Sequence, residues 1–418
     1  MAVFPADTSS VVLLRAPWVV PVVSQVIRDG ALAVTGECIL DVGSWAELSQ
    51  KFPQSAVHHS TGVILPGLIN CHIHLELSVF GTIPLPDPDS SMCDWVRSLL
   101  QKRMAAEFSE DEISETAERF AKEQLLSGVV ALLDTGNSVL PAFKEKVPEI
   151  YSLFELLGPT IQATDIALQT LDELNADICP TGHAPYSTSP RLLQQIKQQT
   201  VSQNSIFSLH VEENPDESRL LFQGTGCFKE FLEERNAFDG TFPLEKGKYH
   251  SVVDYLQKTG ILDARTICVH CVNIQENDIQ LLKQSKCHIC LCPGSNQFLG
   301  VGKAPIDAML QQNILPALGT DSIASNTQLN MWHEMALIRE DYPGVNSETI
   351  VAMATMAGAK ALGLERKYGS LEKGKSSNCI AVEDEKISTA ESEKELLDIL
   401  TSLDNPENIV RFREKIAA

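Results

Sequence analysis

From Val63 to Gly319, short apolar runs alternate with helical stretches, and this limits the possible folds more than any other feature of the 418-residue chain. Eight candidate strands succeed one another, at 64–74, 129–134, 150–157, 178–183, 206–211, 266–271, 287–292 and 315–319. Apolar runs of this length separated by helices argue for βα units and a parallel sheet. Eight of them over roughly 260 residues predict a (β/α)8 TIM barrel within the α/β class. The clearest helix lies over 108–126, opening on Ser109 and Glu112 as a capping box and closing before Gly128. The insert 81–106, with several Pro and Asp residues, is a candidate lid over the strand ends. Residues 10–60 read as short strands with Asp29-Gly30 as the hairpin signal, and 369–383 return to short strands after a helix.

Charge and cysteine content narrow the function classes. The 33 Lys and Arg against 55 Asp and Glu leave a formal charge of −22, which repels phosphate backbones and anionic lipids. Neither nucleic acid nor a membrane surface is therefore an expected partner. No apolar run reaches the ~18–20 residues that span a bilayer, and the N-terminus has no basic signal-like region. Eleven cysteines, spread through apolar segments, argue against a secreted disulfide framework and for reduced thiols in the cytoplasm.

Chemistry concentrates at the ends of the expected strands. His72 and His74 close the first one, and period-2 geometry points both imidazoles to the same face. His183 ends the fourth strand, His210 the fifth with Glu213 three residues on, His270 the sixth, and Asp321 the eighth, where Gly319 allows close backbone approach. Catalytic groups of α/β barrels gather at those ends, and half of the ten histidines fall there. The other five have plainer readings: His58, His59 and His250 as solvated residues, His288 and His333 as packing residues. His183 reads equally as a substrate contact or a structural hydrogen bond, and one of Glu212 and Glu213 is expected to serve the site. Asp134 reads equally as a loop cap or a site residue.

A second metal pattern competes, because Cys268, Cys271, Cys287 and Cys290 have zinc-ribbon spacing. Residues i and i+3 of a strand face opposite sides, so neither pair can chelate one ion. Small buried thiols are the better account.

The motifs together resemble the amidohydrolase superfamily. PGLINCHIH at 66–74 is similar to its first-strand signature and GTDSIASN at 319–326 to that of its eighth strand. RDGALAVTGECILDVG and AGAKALGLERKYGSLEKGK resemble the flanking segments of its accessory β-sandwich. The resemblance implies a sandwich from 1–62 and 368–385, a barrel over 63–367 and a C-terminal helical segment over 386–418. With no lysine on strand four to bridge two ions, the pattern resembles the mononuclear deaminase branch. His72, His74, His210 and Asp321 would then hold one divalent ion, Zn2+ or Fe2+. Asp321 would take a proton from the attacking water, His270 would orient that water, and Glu213 would protonate a ring nitrogen. Within the branch, HIHLELS at 72–78 and CPGSNQFLGVGKAPI at 292–306 resemble aminodeoxyfutalosine deaminases of menaquinone biosynthesis. That implies an adenine-bearing nucleoside as substrate, with Glu76 and His183 beside it. Deaminases of S-adenosylhomocysteine, methylthioadenosine or adenosine, other nucleobase deaminases and triazine chlorohydrolases are the alternatives; a non-catalytic scaffold would have lost metal ligands that are all present here. Arg97, Arg339 and Lys303 are candidates for an anionic tail, and homodimers are common in the resembled family.

Overall fold

The computed structural model describes residues 11–87 and 89–412; the outermost parts of the expected terminal segments, 1–10 and 413–418, lie outside the described residues. The first strands are β1 (Val12–Val19), β2 (Ile27–Thr35), β3 (Cys38–Ser44), β4 (Ala56–His59) and β5 (Val63–Pro66). They are followed by β6 (Leu68–Ile73), β7 (Val129–Gly136), β8 (Glu149–Leu156), β9 (Cys179–Gly182), β10 (Phe207–Val211), β11 (Thr266–His270), β12 (His288–Leu291) and β13 (Ala317–Leu318). Two more, β14 (Cys379–Val382) and β15 (Ile409–Arg411), lie near the C-terminus. Two compact units divide the described chain: residues 11–69, 125–130 and 330–412 in one, 70–124 and 131–329 in the other.

In the first unit strands from the N-terminal and C-terminal segments of the described chain meet in one seven-stranded sheet, ordered β15-β14-β5-β1-β2-β3 with β4 added to β1. Alternation along β1 sends Leu14 and Ala16 into a core with Leu32, Val34, Ile64 and Phe412, and Leu13 into a second core with Ala33 and Leu48. Leu48 belongs to the helix Trp45–Lys51, which is capped reciprocally by Ser44 and Glu47. The 386–418 segment, expected as helical, holds helices Glu385–Thr389 and Glu393–Leu400 and also supplies β15.

Two local expectations are corrected here. Asp29-Gly30 is not a turn: both residues lie inside β2, where Gly30 sits opposite Ala16. A Cβ on Gly30 would lie 2.7 Å from Val19, so the glycine serves a close cross-strand approach. The tight hairpin falls one strand later, at Gly36 with φ +52°, where Thr35 pairs with Cys38. The expected first barrel strand is also broken at Gly67, where a Cβ would lie 2.1 Å from Val130.

In the second unit β6-β7-β8-β9 and β10-β11-β12-β13 form two four-stranded sheets with parallel pairing along β7-β8-β9 and throughout β10–β13. Hydrogen bonds join them at both junctions. Ser208 N–H donates to Thr181 Oγ1 at 3.0 Å and His210 N–H to the His183 carbonyl at 3.0 Å. At the other junction the N–H groups of Thr320 and Asp321 both donate to the His72 carbonyl at 3.0 Å, and Asn70 Nδ2 donates to Thr320 Oγ1 at 2.8 Å. The helix Glu110–Leu126 begins at the expected Ser109–Glu112 box, with Ser109 N–H donating to Glu112 Oε2 at 2.9 Å.

The insert 81–106 contains the helix Met92–Ala105, opened by a Ser91–Asp94 capping box. Its first turn carries Cys93, which is disulfide-bonded to Cys227 at a Cα–Cα distance of 6.1 Å. The expectation of wholly reduced thiols is therefore corrected for this pair, and the other nine cysteines form no disulfide. The two partners are 134 residues apart, and only the packing of the lid helix on the helix Cys227–Glu234 brings them together. Among the described residues no helix is long and apolar enough to cross a membrane.

Candidate functional site

Four strand ends of the second unit converge on one point. His72 comes from β6 and His74 follows it, His210 comes from β10, and Asp321 stands three residues after β13. Each offers a ligand atom, all within 4.8 Å of one another, and all four residues are buried. His72 Nε2 lies 3.2 Å from His210 Nε2, while Asp321 Oδ1 is 3.7 Å from His72 Nε2 and 3.5 Å from His74 Nε2. Backbone geometry aims these groups. Asp321 adopts φ +57°, a left-handed conformation that Asp tolerates better than most residues, and a Cβ on Gly319 would collide with His72 at 2.9 Å.

Hydrogen bonds fix which atoms face the centre. His210 Nδ1 donates to the His183 carbonyl at 2.7 Å, an assignment that follows from the carbonyl being acceptor-only and that leaves Nε2 with its lone pair. Ser295 Oγ and Ser325 Oγ donate to Asp321 Oδ2 at 2.6 and 2.9 Å, so Oδ1 is the atom turned inward. Burial, helped by the neighbouring His74, holds His72 well below the ordinary imidazole range; burial and then His183 do the same for His210. For Asp321 burial acts upward but is outweighed by His74, His270 and His72, so its carboxyl stays below the usual range. Neutral imidazoles beside an ionised carboxylate are the protonation states a divalent metal requires. His72 Nε2, His210 Nε2, His74 Nε2 and Asp321 Oδ1 lie close enough to one another to serve one centre, so the donor set fits a single metal ion.

A second pair flanks Asp321. Glu213 Oε1 lies 3.6 Å from His270 Nε2, and both groups with Asp321 form a further cluster. His270, at φ +70°, presents its Nδ1 to Asn296 Oδ1 at 2.9 Å; among the described residues its Nε2 has no hydrogen-bond partner. Burial pushes the Glu213 carboxyl up to about 7, with His270 opposing it. Glu212, the alternative of the acidic pair, instead accepts from Ser218 Oγ at 2.6 Å.

The remaining expected residues divide clearly. His183 lines the cavity and its Nδ1 is 2.6 Å from Ser187 Oγ, with burial pulling its pKa down to about 3. Glu76 is buried in the cavity wall, with Arg103 3.6 Å from its Oε1. Asp134 is a cap: its Oδ1 accepts from Leu75 N–H at 2.9 Å, fixing the turn that follows His74. Arg97 is paired with Glu234 at 2.8 Å and Arg339 with Asp398 at 2.9 Å, and neither they nor Lys303 line the cavity. None of the four ribbon-spaced cysteines belongs to a metal-ligating group among the described residues. Sequence reasoning missed Arg103 on the lid helix, Asn296, and Glu155 near the end of β8. Glu155 has no motif spacing to announce it. In the structure it is buried in the cavity wall 3.8 Å from His210, and burial pushes its carboxyl up to about 7.

The cavity holds about 180 Å³ and reaches from His74, His210 and Asp321 to Met92, Trp95, Leu99 and Arg103 of the lid helix. A smaller one of about 130 Å³ shares Glu76, Leu77 and Arg103 with it and continues to Phe80 and Phe108. Together they reach the ~300 Å³ at which small-molecule sites begin.

Known proteins share this plan. A 5-methylthioadenosine/S-adenosylhomocysteine deaminase of Teredinibacter turnerae is 27% identical over 400 residues, covering 88% of this chain and 83% of that protein. An aminodeoxyfutalosine deaminase of Deinococcus radiodurans is 25% identical over 360 residues, covering 80% and 81%. In fold, the chain is similar to the crystal structure of Helicobacter pylori aminofutalosine deaminase in complex with methylthio-coformycin, at a TM-score of 0.79, with 20% identity and 96% and 98% coverage. Residues 63–411 match the amidohydrolase family, spanning both signatures and every site residue described above, and the chain belongs to that family.

Proposed function

We propose that the protein is a metal-dependent hydrolytic deaminase of an adenine-bearing nucleoside. The observation that carries this reading is the convergence of His72, His74, His210 and Asp321 beside the Glu213–His270 pair at one cavity. The deaminase names of the Teredinibacter and Deinococcus relatives support it. We read the two four-stranded sheets as halves of a (β/α)8 barrel, supported by the hydrogen bonds at both junctions.

When bound by the three imidazoles and Asp321, one divalent ion, Zn2+ or Fe2+, supplies Lewis acidity that makes water a better nucleophile. The chain's own groups manage the protons. The Asp321 carboxylate accepts one from the attacking water as its oxygen bonds to the amidine carbon. Glu213, protonated near neutrality, delivers its proton to the adjacent ring nitrogen, and His270 Nε2 orients the attacking oxygen. Asp321 then returns its proton to the amino group, which leaves as ammonia. The hydroxyl proton passes to Glu213 as the carbonyl forms, restoring both carboxyl groups. His183 and Glu76, both in the cavity wall, contact the substrate.

Aminodeoxyfutalosine is the substrate favoured by the Leu75-Glu76 tail of the first signature, since Glu76 is buried in the cavity wall. Methylthioadenosine and S-adenosylhomocysteine form the second reading, favoured by the 27% identity to the Teredinibacter deaminase. Ammonia release from a panel of adenosine, methylthioadenosine, S-adenosylhomocysteine, aminodeoxyfutalosine, guanine and cytosine separates these outcomes. Silence on every purine, with turnover of a chlorinated triazine, overturns the nucleoside reading.

A further inference from the structure

Asn296 touches a group of the reaction above but has no assigned part in it. It lies on the short helix Pro293–Leu299, and both it and His270 are buried. Asn296 Oδ1 stands 2.9 Å from His270 Nδ1. The preceding residue, Ser295, donates to Asp321 Oδ2 at 2.6 Å. Consecutive positions of one helix therefore hold both groups that act on the attacking water. Ser295 fixes the carboxylate that takes a proton, and Asn296 meets the ring that orients the oxygen. The helix is itself anchored, for Asn296 N–H donates to the Cys292 carbonyl at 3.0 Å and Gly300 closes the last turn at φ +65°.

Other contacts fix the backbone around His270. It pairs with Val211 across β10 and β11, and Cys271 N–H donates to the Val211 carbonyl at 3.0 Å. Asn273 ties the two acid–base loops together: its N–H donates to the Glu212 carbonyl at 2.9 Å and its Nδ2 to the Glu213 carbonyl at 2.9 Å. None of these contacts decides which ring nitrogen of His270 bears the hydrogen. Asn296 does. An amide oxygen accepts and cannot donate, so Nδ1 carries the hydrogen and Nε2 of the neutral ring keeps its lone pair. That Nε2 has no hydrogen-bond partner among the described residues and lies 3.6 Å from Glu213 Oε1, and His270 lines the cavity.

The tautomer matters because water attacks through a lone pair. If Asp321 and His270 Nε2 each accept one hydrogen of the water, its oxygen keeps a lone pair for the amidine carbon. In the opposite tautomer an Nε2–H would donate to that oxygen and compete for the electrons that form the new bond. Resting on the deaminase reading above, we propose that Asn296 is a positioning residue: it holds His270 in the Nδ1–H tautomer, so that Nε2 accepts a hydrogen bond from the attacking water. Glu213, beside Nε2, then stands where the hydroxyl proton goes as the carbonyl forms.

The test reads the tautomer and the kinetics separately, at one pH. Nitrogen-15 NMR of histidine-labelled, zinc-loaded protein, with the His270 signals identified by their loss in His270→Gln, is expected to show a protonated Nδ1 and an unprotonated Nε2. Asn296→Leu removes the acceptor with a side chain of similar branching. It is expected to lose that pattern and about 10- to 100-fold in kcat, with KM within about threefold and bound zinc unchanged. Asn296→Asp keeps an acceptor at the same position and is expected to restore the Nδ1–H signal and most of kcat. A wild-type His270 protonated at Nε2 overturns the proposal, and that measurement needs no variant to fold. So does a folded, zinc-loaded Asn296→Leu protein with unchanged kcat, one that loses zinc, or one in which only KM rises, which would make Asn296 a substrate contact. A wild type that releases ammonia from no purine nucleoside overturns the parent reading and this one with it; an active wild type with the opposite tautomer overturns this one alone.

Discussion

Glu213 shows how a single side chain acquires its chemistry from its surroundings. As a free carboxyl it would be ionised at neutral pH and unable to donate; burial raises it to about 7, where the acid form is populated. Donation requires that acid form, so kcat/KM for the nucleoside should fall as pH rises above about 7. Glu213→Gln should lack this alkaline limb and lose about 10²- to 10⁴-fold in kcat, with bound metal unchanged by elemental analysis. The same burial has a stability cost. With the folded value above the unfolded one of ~4.3, Glu213 favours folding below pH ~4.3 and loses that contribution as pH rises through 7. Glu213→Gln should therefore melt higher than the wild type at pH 8, by a margin on the order of 1–3 kcal/mol, and about equally at pH 4. At this scale the five histidines and Asp321 were legible because strand-end positions and period-2 spacing announce them. Glu155 and Arg103 were not, since nothing local distinguishes a glutamate within an apolar strand or an arginine on a polar helix from their solvated counterparts.

Strands and helices set how closely those groups approach. Gly319 lets β13 pass His72 so tightly that an added methyl would meet the His72 Cβ and backbone nitrogen at 2.9 Å. Gly319→Ala should displace His72 and lower metal affinity by about 10-fold or more, measurable by competition with a chromogenic chelator, while secondary structure by circular dichroism is retained. The lid helix Met92–Ala105 is held by the Cys93–Cys227 disulfide and lines the cavity through Met92, Trp95, Leu99 and Arg103. Reduction should raise amide hydrogen exchange in 92–105 and leave β10 and β11 protected; equal exchange in both redox states would show that packing alone holds the lid. The helix at 110–126 was legible from its capping residues, because a cap is a local hydrogen-bonding pattern. The break at Gly67 was not, since it depends on Val130, more than sixty residues away.

Across the whole molecule the −22 charge sets a field that opposes anionic substrates. Added salt screens that field, so kcat/KM for a carboxylated nucleoside should rise between low and physiological ionic strength, and that for neutral adenosine should stay flat. Arg103 is the one Lys or Arg among the residues lining the main cavity, and its replacement by Gln should deepen the salt dependence of the anionic substrate alone.

The sequence by itself determined the alternation of strands and helices, the positions of the candidate metal-ligating side chains and the family to which the chain belongs, because each is written in local periodicity and short motifs. The tertiary structure alone decided which acids line the cavity, which cysteines pair, and that strands from the N-terminal and C-terminal segments share one sheet with the helix Trp45–Lys51 packed on it. Those outcomes depend on burial and on contacts between residues far apart in the chain. A residue's pKa, its hydrogen-bond partner and its access to a ligand are properties of that surrounding volume, which no local pattern encodes.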